Sequence, residues 1–438
     1  MFKQEKNNHF SKKIEVKIIM PSSKELMEMD TTYGAHNYHP ISVVISKAEG
    51  VWVYDPEGKK YLDCLSAYSS HNTGHRHPEI IKALKEQADR VTLTSRAFYN
   101  DKMGPFLKQL CDVMKPHIND PKKAGIMALP MNTGAEAVET GLKVARAWGY
   151  IKKKIPKDQA KIIVCKDNFH GRTITIVGFS TDISHGRYFG YFGPYTPGFE
   201  IITYGDAEEL ENRILELGPE NVAGFLFEPM QGEAGVIVPS KGFLKKAREI
   251  CTKYNVLMIA DEIQTGLGRT GKLFACDHEN VQPDMFLLGK ALGGGVYPVS
   301  AVITTTEIIG PDVIKPGIHG STFGGNPLGS AVAMKALDLI VGEKLADRSA
   351  EMGEYFLDGL RKIAAKKTKI PIIDVRGKGL LIAIELDGKA RPYTEGMKDK
   401  GILAKETHST TIRFAPPLVI TKEQIDWALK IIEEVFVG

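Results

Sequence analysis

The chain has 438 residues, a length that sets a prior of two or three domains at roughly 150 residues each, and its 43% hydrophobic content is ordinary for a protein with a large core. Lys and Arg number 57 against 53 Asp and Glu, so the formal charge of +4 is too slight over this length to mark a nucleic-acid binder. The five cysteines are odd in number and form no Cys-x-x-Cys pair, and no apolar run approaches the roughly 20 residues that span a bilayer, which argues against a disulfide framework and a membrane protein and for reduced thiols inside a cell.

The first residues, MFKQEKNNHFSKKIEVKIIM, are Lys-rich and lack the apolar segment of a secretory signal. Glu5 and Glu15 and the absence of Arg disfavour a mitochondrial presequence. The expectation is a terminal arm, frayed or draped on another subunit, on a cytoplasmic protein, with the mitochondrial matrix as the alternative. VWVYDPEGKKYLD has hairpin character. HNTGHRHP then brings His71, His75 and His77 together. Gly74 and Pro78 break the helix that a zinc-binding pair would need, and no neighbouring Cys or carboxylate completes a ligand set. Hydrogen-bonded turn histidines are the better account.

GIMALPMNTGAEAVETGLKVARAWGY reads as a buried strand from Gly125 to Leu129, a turn, and a helix from Ala135 with Val138, Leu142, Ala145 and Trp148 at helical spacing. KIIVC, VAGFLFEP, VLMIADE and DMFLLGK are further strand candidates, separated in places by helical stretches. Such alternation predicts an α/β fold whose mainly parallel sheet is flanked by helices. In such sheets ligands sit beyond the carboxyl ends of the strands. GLGRTGK, at 266–272, has phosphate-loop spacing, but Leu273 stands where Ser or Thr would hold magnesium, so tight-turn glycines fit better. From Asn326 to Ala365 the pattern predicts one long helix. RGKGLLIAIEL suggests a turn and strand. A final helix is capped by Thr421 with Gln424 three residues on, and Ile425, Ala428, Leu429, Ile432, Val435 and Phe436 form its buried stripe. The expected division is residues 1–72 as arm and segment packing with a small domain, 73–325 as a large domain, and 326–438 as the C-terminal part of a smaller α+β domain.

Three pieces carry chemistry. Asp261 ends an apolar strand, where a carboxylate is expensive to bury alone; a helix cap or a structural ion pair would also explain it. Lys290 ends another strand amid glycines. It reads either as a surface lysine with a buried stem or as an amine whose pKa desolvation lowers into the nucleophilic range. MNTGAEAVET opens a helix at Gly134, whose free amides suit an anion. HGSTFGGNP adds a second polar turn with Ser321 and Thr322. Together they match pyridoxal phosphate, which needs a lysine for its aldehyde, a carboxylate for its ring nitrogen and donors for its phosphate.

YGAHNYHP, LSAYSS, LTSRAFYN, MNTGAEAVET, NFHGRT, EPMQGEAGVIVP, ADEIQTGLGRTG, LLGKALGGGVYPVSAV, HGSTFGGNPLG, RGKGLL and IRFAPPL occur in this order. From Tyr33 to the C-terminus the chain resembles the class III pyridoxal-phosphate aminotransferases, and YGAHNYHP and LTSRAFYN resemble their ornithine branch. The resemblance implies the type I fold of pyridoxal-phosphate transferases and a homodimer, or a higher oligomer, with shared sites. Lys290 would hold the cofactor, Asp261 its ring nitrogen and Gln264 its ring oxygen, with Phe169 stacked on its face. Gly134, Ala135 and Thr322 of the partner subunit would bind its phosphate. Tyr38 and Arg172 would fix the α-carboxylate of ornithine, Tyr68 would line the pocket, and Glu233 and Arg413 would form a switchable pair. The implied reaction passes the δ-amino group of ornithine to 2-oxoglutarate. The alternatives are a related ω-aminotransferase for acetylornithine or 4-aminobutyrate, an aminomutase, or a cofactor-binding protein without turnover. Two departures stand out: Ile318 replaces an acidic residue common before HGST in that branch, and SHGRYFGYFGPYTPGF carries extra aromatic and basic residues.

Overall fold

The computed structural model describes residues 21–181 and 191–438. The arm expectation for residues 1–20, and most of the basic and aromatic excess before Tyr191, fall outside them. The described chain starts with an unforeseen helix, Ser23–Tyr33, nucleated by a capping box in which Ser22 accepts from the Glu25 amide and the Glu25 carboxylate accepts from the Ser22 amide at 2.8 Å. It buries none of its side chains.

Lys47–Glu49 (β1), Trp52–Tyr54 (β2) and Lys60–Asp63 (β3) form an antiparallel meander, in which β2 and β3 are the expected hairpin and β1 extends it. The central sheet follows: Ile126–Met131 (β4), Lys161–Cys165 (β5), Phe199–Ile202 (β6), Val222–Phe227 (β7), Leu257–Asp261 (β8), Met285–Leu288 (β9) and Ser300–Thr305 (β10), in the order β4-β10-β9-β8-β7-β5-β6. The pairs β6–β5, β5–β7, β7–β8 and β8–β9 are parallel, while β10 runs antiparallel to both neighbours. Successive residues alternate between two cores. Ile163, Phe225, Met258, Phe286 and Ile303 face one, and Ile162, Leu226, Ile259, Leu287 and Val302 face the other. Apolar faces on both sides explain why these strands read as unbroken hydrophobic runs. The helix Gly134–Trp148 covers the second face with Ala137, Val138, Leu142 and Trp148.

The long helix expected after Asn326 is two helices, Pro327–Gly342 and Leu345–Ala364. Lys344 between them takes a left-handed φ of 52°, and this bend lets the second helix bury Leu345, Met352, Phe356 and Leu360 in the main core. Ile372–Lys378 (β11), Leu381–Leu386 (β12), Lys405–Thr407 and Thr411–Phe414 form an antiparallel sheet; with Ile402–Leu403 as β13, the last two are β14 and β15. β11 was not anticipated, because its half-exposed sequence lacks an apolar run. β13 pairs in parallel with β3, placing Ile402 opposite Leu62, so the N-terminal meander and the C-terminal region share a sheet. Thr421 and Gln424 make the expected capping box for Lys422–Phe436. That helix buries Ile425, Ala428, Ile431, Ile432 and Phe436. Leu429 and Val435, expected within the stripe, are only half-buried, and Ile431 takes a buried place instead.

Three glycines weld these parts together. A Cβ on Gly353 would lie 2.0 Å from the Gly379 carbonyl oxygen, and one on Gly379 would lie 2.4 Å from the Gly271 amide nitrogen. The second long helix, the β11–β12 turn and the GLGRTG loop thus touch backbone to backbone. Gly353→Ala is expected to cost about 1–3 kcal/mol through overpacking. A thermal melt should fall by several degrees; an unchanged melting temperature would show that the contact has slack.

Candidate active site

Parallel strands deliver their carboxyl ends to one edge, and the candidate residues gather there. Asp261 closes β8, Glu228 follows β7, and Lys290 lies two residues beyond β9. They line a cavity of about 200 Å³ with Gly134, Ala135, Phe169, His170, Glu233, Ile263 and Gln264.

Asp261 is 5% exposed. Its Oδ2 lies 2.6 Å from His170 Nδ1, and its Oδ1 accepts from the Ile263 amide at 3.1 Å. Lys290 has a φ of 42°, a left-handed backbone that is uncommon for non-glycine residues. Burial lowers its amine to about 8, with the neighbouring Glu233 opposing and Arg413 reinforcing the shift. At the helix entrance Thr133 accepts from the Glu136 amide at 3.2 Å, and the Glu136 carboxylate accepts from Thr133 and Asn132 amides at 2.8 and 3.0 Å. This box fixes the first turn and leaves Gly134 and Ala135, whose amides have no intrahelical acceptor, on the cavity wall.

The residues present fit pyridoxal phosphate. An amine, a buried carboxylate, an aromatic ring and the start of a helix surround one small cavity. Its walls also depend on missing side chains, since a Cβ on Gly171 would meet Ala135 Cβ at 2.9 Å and one on Gly232 would fall 1.4 Å from Gln264 Oε1.

Two arginines reach this region with unlike partners. Arg413, on β15 and 3% exposed at its side chain, donates to Glu233 Oε1 at 2.7 Å. Gln264 Nε2 donates to the same oxygen at 3.2 Å. Burial would raise the Glu233 carboxyl, but Arg413 and Lys290 outweigh it and hold the group down to about 2. Arg172 instead donates to the Tyr38 hydroxyl at 2.9 Å and lies 5.3 Å from the centre of the Phe169 ring. The Glu233 loop is itself pinned by the small sheet: Thr407 donates to the Glu233 carbonyl at 2.6 Å, Arg413 to the Gly232 carbonyl at 3.3 Å, and Arg376 to the Gly235 carbonyl at 2.7 Å.

Tyr68 faces Arg413, its ring centre 5.2 Å from the guanidinium carbon. It sits in a turn where Ser66, Ala67, Tyr68 and Ser69 take φ values of 52°, 47°, 59° and 74°. Left-handed backbone costs L-residues roughly 1–2 kcal/mol each. Thr322 is exposed and does not line its own chain's cavity. Its neighbour Ser321 accepts from Asn132 Nδ2 at 2.9 Å, tying the HGST turn to the helix entrance. Ile318 is exposed as well.

Sequence reasoning missed His170 and Glu228. Glu228 accepts from the Phe169 amide at 2.8 Å and the Gly232 amide at 3.1 Å, and burial pushes it up to about 7. The signal was present, because FLFEP ends an apolar strand in an acid just as VLMIADE does. Two of the three histidines are hydrogen-bonded as expected, His75 Nε2 lying 2.8 Å from Asp63 Oδ2 and His77 accepting from the Glu79 amide at 3.3 Å, whereas His71 Nδ1 is buried without a hydrogen-bond partner among the described residues. The carboxylate partner lies twelve residues back, beyond the span considered from sequence. Arg269 of GLGRTG is fully buried and donates to the Leu380 and Pro416 carbonyls and to Asn72, so this loop joins parts of the fold.

A model of the family Aminotransferase class-III matches residues 33–436. The chain belongs to the class III aminotransferases. Like other class III aminotransferases it works through pyridoxal phosphate. It is 58% identical over 417 residues to an ornithine aminotransferase of Brevibacillus brevis, covering 95% of this chain and 99% of the relative. Among solved structures, the ornithine aminotransferase of Toxoplasma gondii superposes with a TM-score of 0.89 at 46% identity, covering 95% of each chain. An acetylornithine aminotransferase of Elizabethkingia anophelis superposes at 0.84 with 48% identity, covering 95% of this chain and 100% of that one. Among the described residues of this class III aminotransferase, no helix is long and apolar enough to cross a membrane.

Proposed function

We propose that this class III aminotransferase moves the δ-amino group of L-ornithine to 2-oxoglutarate, giving glutamate and glutamate 5-semialdehyde, which cyclises to pyrroline-5-carboxylate. The observation that carries the reading is the pairing of the two arginines. Ornithine brings one carboxylate and two amines, whereas glutamate and 2-oxoglutarate bring two carboxylates. Arg172, held by a neutral phenol, is open to a carboxylate in both cases. Arg413 is neutralised by Glu233 for the first substrate and can be released for the second carboxylate of the other. The names of the relatives support the same substrate.

Pyridoxal phosphate, when bound, supplies an aldehyde that exchanges amines and a ring that draws electrons from the adjacent carbon. Lys290 Nζ would hold it and would accept and return the proton of the reacting carbon. The Asp261 carboxylate, oriented by His170, would keep the ring nitrogen protonated. Gly134 and Ala135 would give amides to the phosphate, Phe169 would cover the ring face, and Gln264 would meet the ring oxygen. Tyr38 and Arg172 orient the α-carboxylate of ornithine, and Tyr68 closes the pocket against Arg413.

The exposed position of Thr322, together with exposed Tyr33, Phe98, Tyr99 and Phe323, supports a homodimer in which Thr322 of the partner subunit completes the phosphate site. Residues 1–72, 73–325 and 326–438 are the division we propose, with the cytoplasm as its compartment, which the unpaired cysteines support.

A panel of amino donors with 2-oxoglutarate, read by glutamate formation for every donor and by pyrroline-5-carboxylate for ornithine, tests the substrate. Preference for acetylornithine, which the Elizabethkingia similarity favours, or for 4-aminobutyrate would refute it. Glu233→Ala leaves Arg413 without its counter-charge, so ornithine-over-glutamate discrimination should fall roughly tenfold or more; equal discrimination in the variant would remove the switch. The Lys290 amine gives a pH prediction. Only its neutral form attacks the aldehyde, so the rate at which cofactor-free protein captures pyridoxal phosphate should rise as pH climbs through about 8. Glu233 raises that value, so the midpoint should move down in Glu233→Ala, measured by stopped-flow absorbance.

A further inference from the structure

Tyr68 reaches Arg413 from a backbone that its own residues disfavour. Ser66, Ala67, Tyr68 and Ser69 are all left-handed and none is glycine. Local propensity does not select such a run, so contacts outside it must. Two side chains supply them. Asp63, buried at the end of β3, accepts from the Leu65 and Ser66 amides through Oδ1, each at 2.9 Å. These are the amides at the entrance to the turn. The other oxygen, Oδ2, is held by His75 Nε2 at 2.8 Å.

His75 enters from the far side of the turn and is itself fixed. Its amide and carbonyl bond Gly50 at 2.7 and 3.1 Å. The His71 ring lies on it with centres 4.0 Å apart, and a Cβ on Gly295 would fall 2.2 Å from His71 Nδ1. Neither Asp63 nor His75 lines the cavity.

We infer that Asp63 and His75 are positioning residues for substrate selection: by pinning the entrance of the left-handed turn they set the Tyr68 ring against Arg413 and so favour its pairing with Glu233. This rests on the reading of Arg413 and Glu233 as the substrate switch. The pair acts on specificity through Tyr68, not merely on the stability of the fold.

The test is a double-mutant cycle on the holoenzyme, with kcat and KM measured separately for ornithine and for glutamate as donors. His75→Ala should lower the ornithine-to-glutamate ratio of kcat/KM roughly tenfold, mainly through KM, a loss in keeping with a displaced substrate-positioning group. His75→Gln, whose amide can still donate to Asp63, should recover the ratio to within about threefold of the parent, because the contact being tested is that one hydrogen bond. Tyr68→Ala combined with His75→Ala should be no less selective than Tyr68→Ala alone. Additive effects would overturn the inference. So would a lower melting temperature with an unchanged ratio. Asp63→Asn keeps the acceptor for both amides and carries the same test if His75→Ala does not fold. If the parent enzyme prefers another donor, the substrate reading fails by itself, and the cycle is read on that donor.

Discussion

Lys290→Ala should lose the visible absorbance of bound cofactor and its transaminase activity while remaining folded. Lys290 is the one lysine lining the cavity among the described residues. No other lysine there can hold the aldehyde, and Lys290 is the base proposed for the proton at the reacting carbon. General acid–base assistance by itself is worth roughly 10²–10⁴-fold, and the lost covalent anchorage adds to that. The fold should survive because the side chain contributes to the cavity wall rather than to either core. Turnover within tenfold of the parent, or borohydride reduction that tags a different lysine, would end this account.

Asp261→Asn should be the next most damaging change. The amide keeps the size of the carboxylate and can keep one contact to His170, but it removes the negative charge proposed to hold a proton on the ring nitrogen. Loss of a preorganised charge at the reacting group costs on the order of 10²–10³-fold in kcat. KM should move little, since no proposed substrate contact is lost. A fall in kcat of less than threefold would show that the ring nitrogen draws its proton from elsewhere, with Glu228 and His170 the residues to try next.

The legible parts of the sequence were those where one physical demand dominates. The strands β7, β8 and β9 are buried throughout, so their residues could hardly be anything but apolar, and Asp261 and Lys290 stood out against them. The last helix entrance was legible because capping is chemically narrow, Thr421 with Gln424 forming the box, while the same signal at Thr133 with Glu136 and at Ser22 with Glu25 went unread. What stayed hidden depends on distant partners. Nothing in LSAYSS announces four left-handed residues; the contacts that impose them come from Asp63 and His75. Lys344 carries no breaker signature, yet the helix turns there because the core lies in another direction. Arg269 carries no signal in its glycine loop and is fully buried, since its acceptors include carbonyls 111 and 147 residues downstream.

The anchoring of the Glu233 loop has a bearing on speed. Its main chain is fastened to the small sheet at residues 232, 233 and 235. In the proposed switch, only the carboxylate arm is then left to swing when the second substrate arrives. Exchange between the two charge patterns would be a side-chain rearrangement that breaks the Glu233–Arg413 pair, with no hinge to open. Solvent viscosity should therefore slow the alternation between the two half-reactions no more than it slows substrate entry and product release themselves.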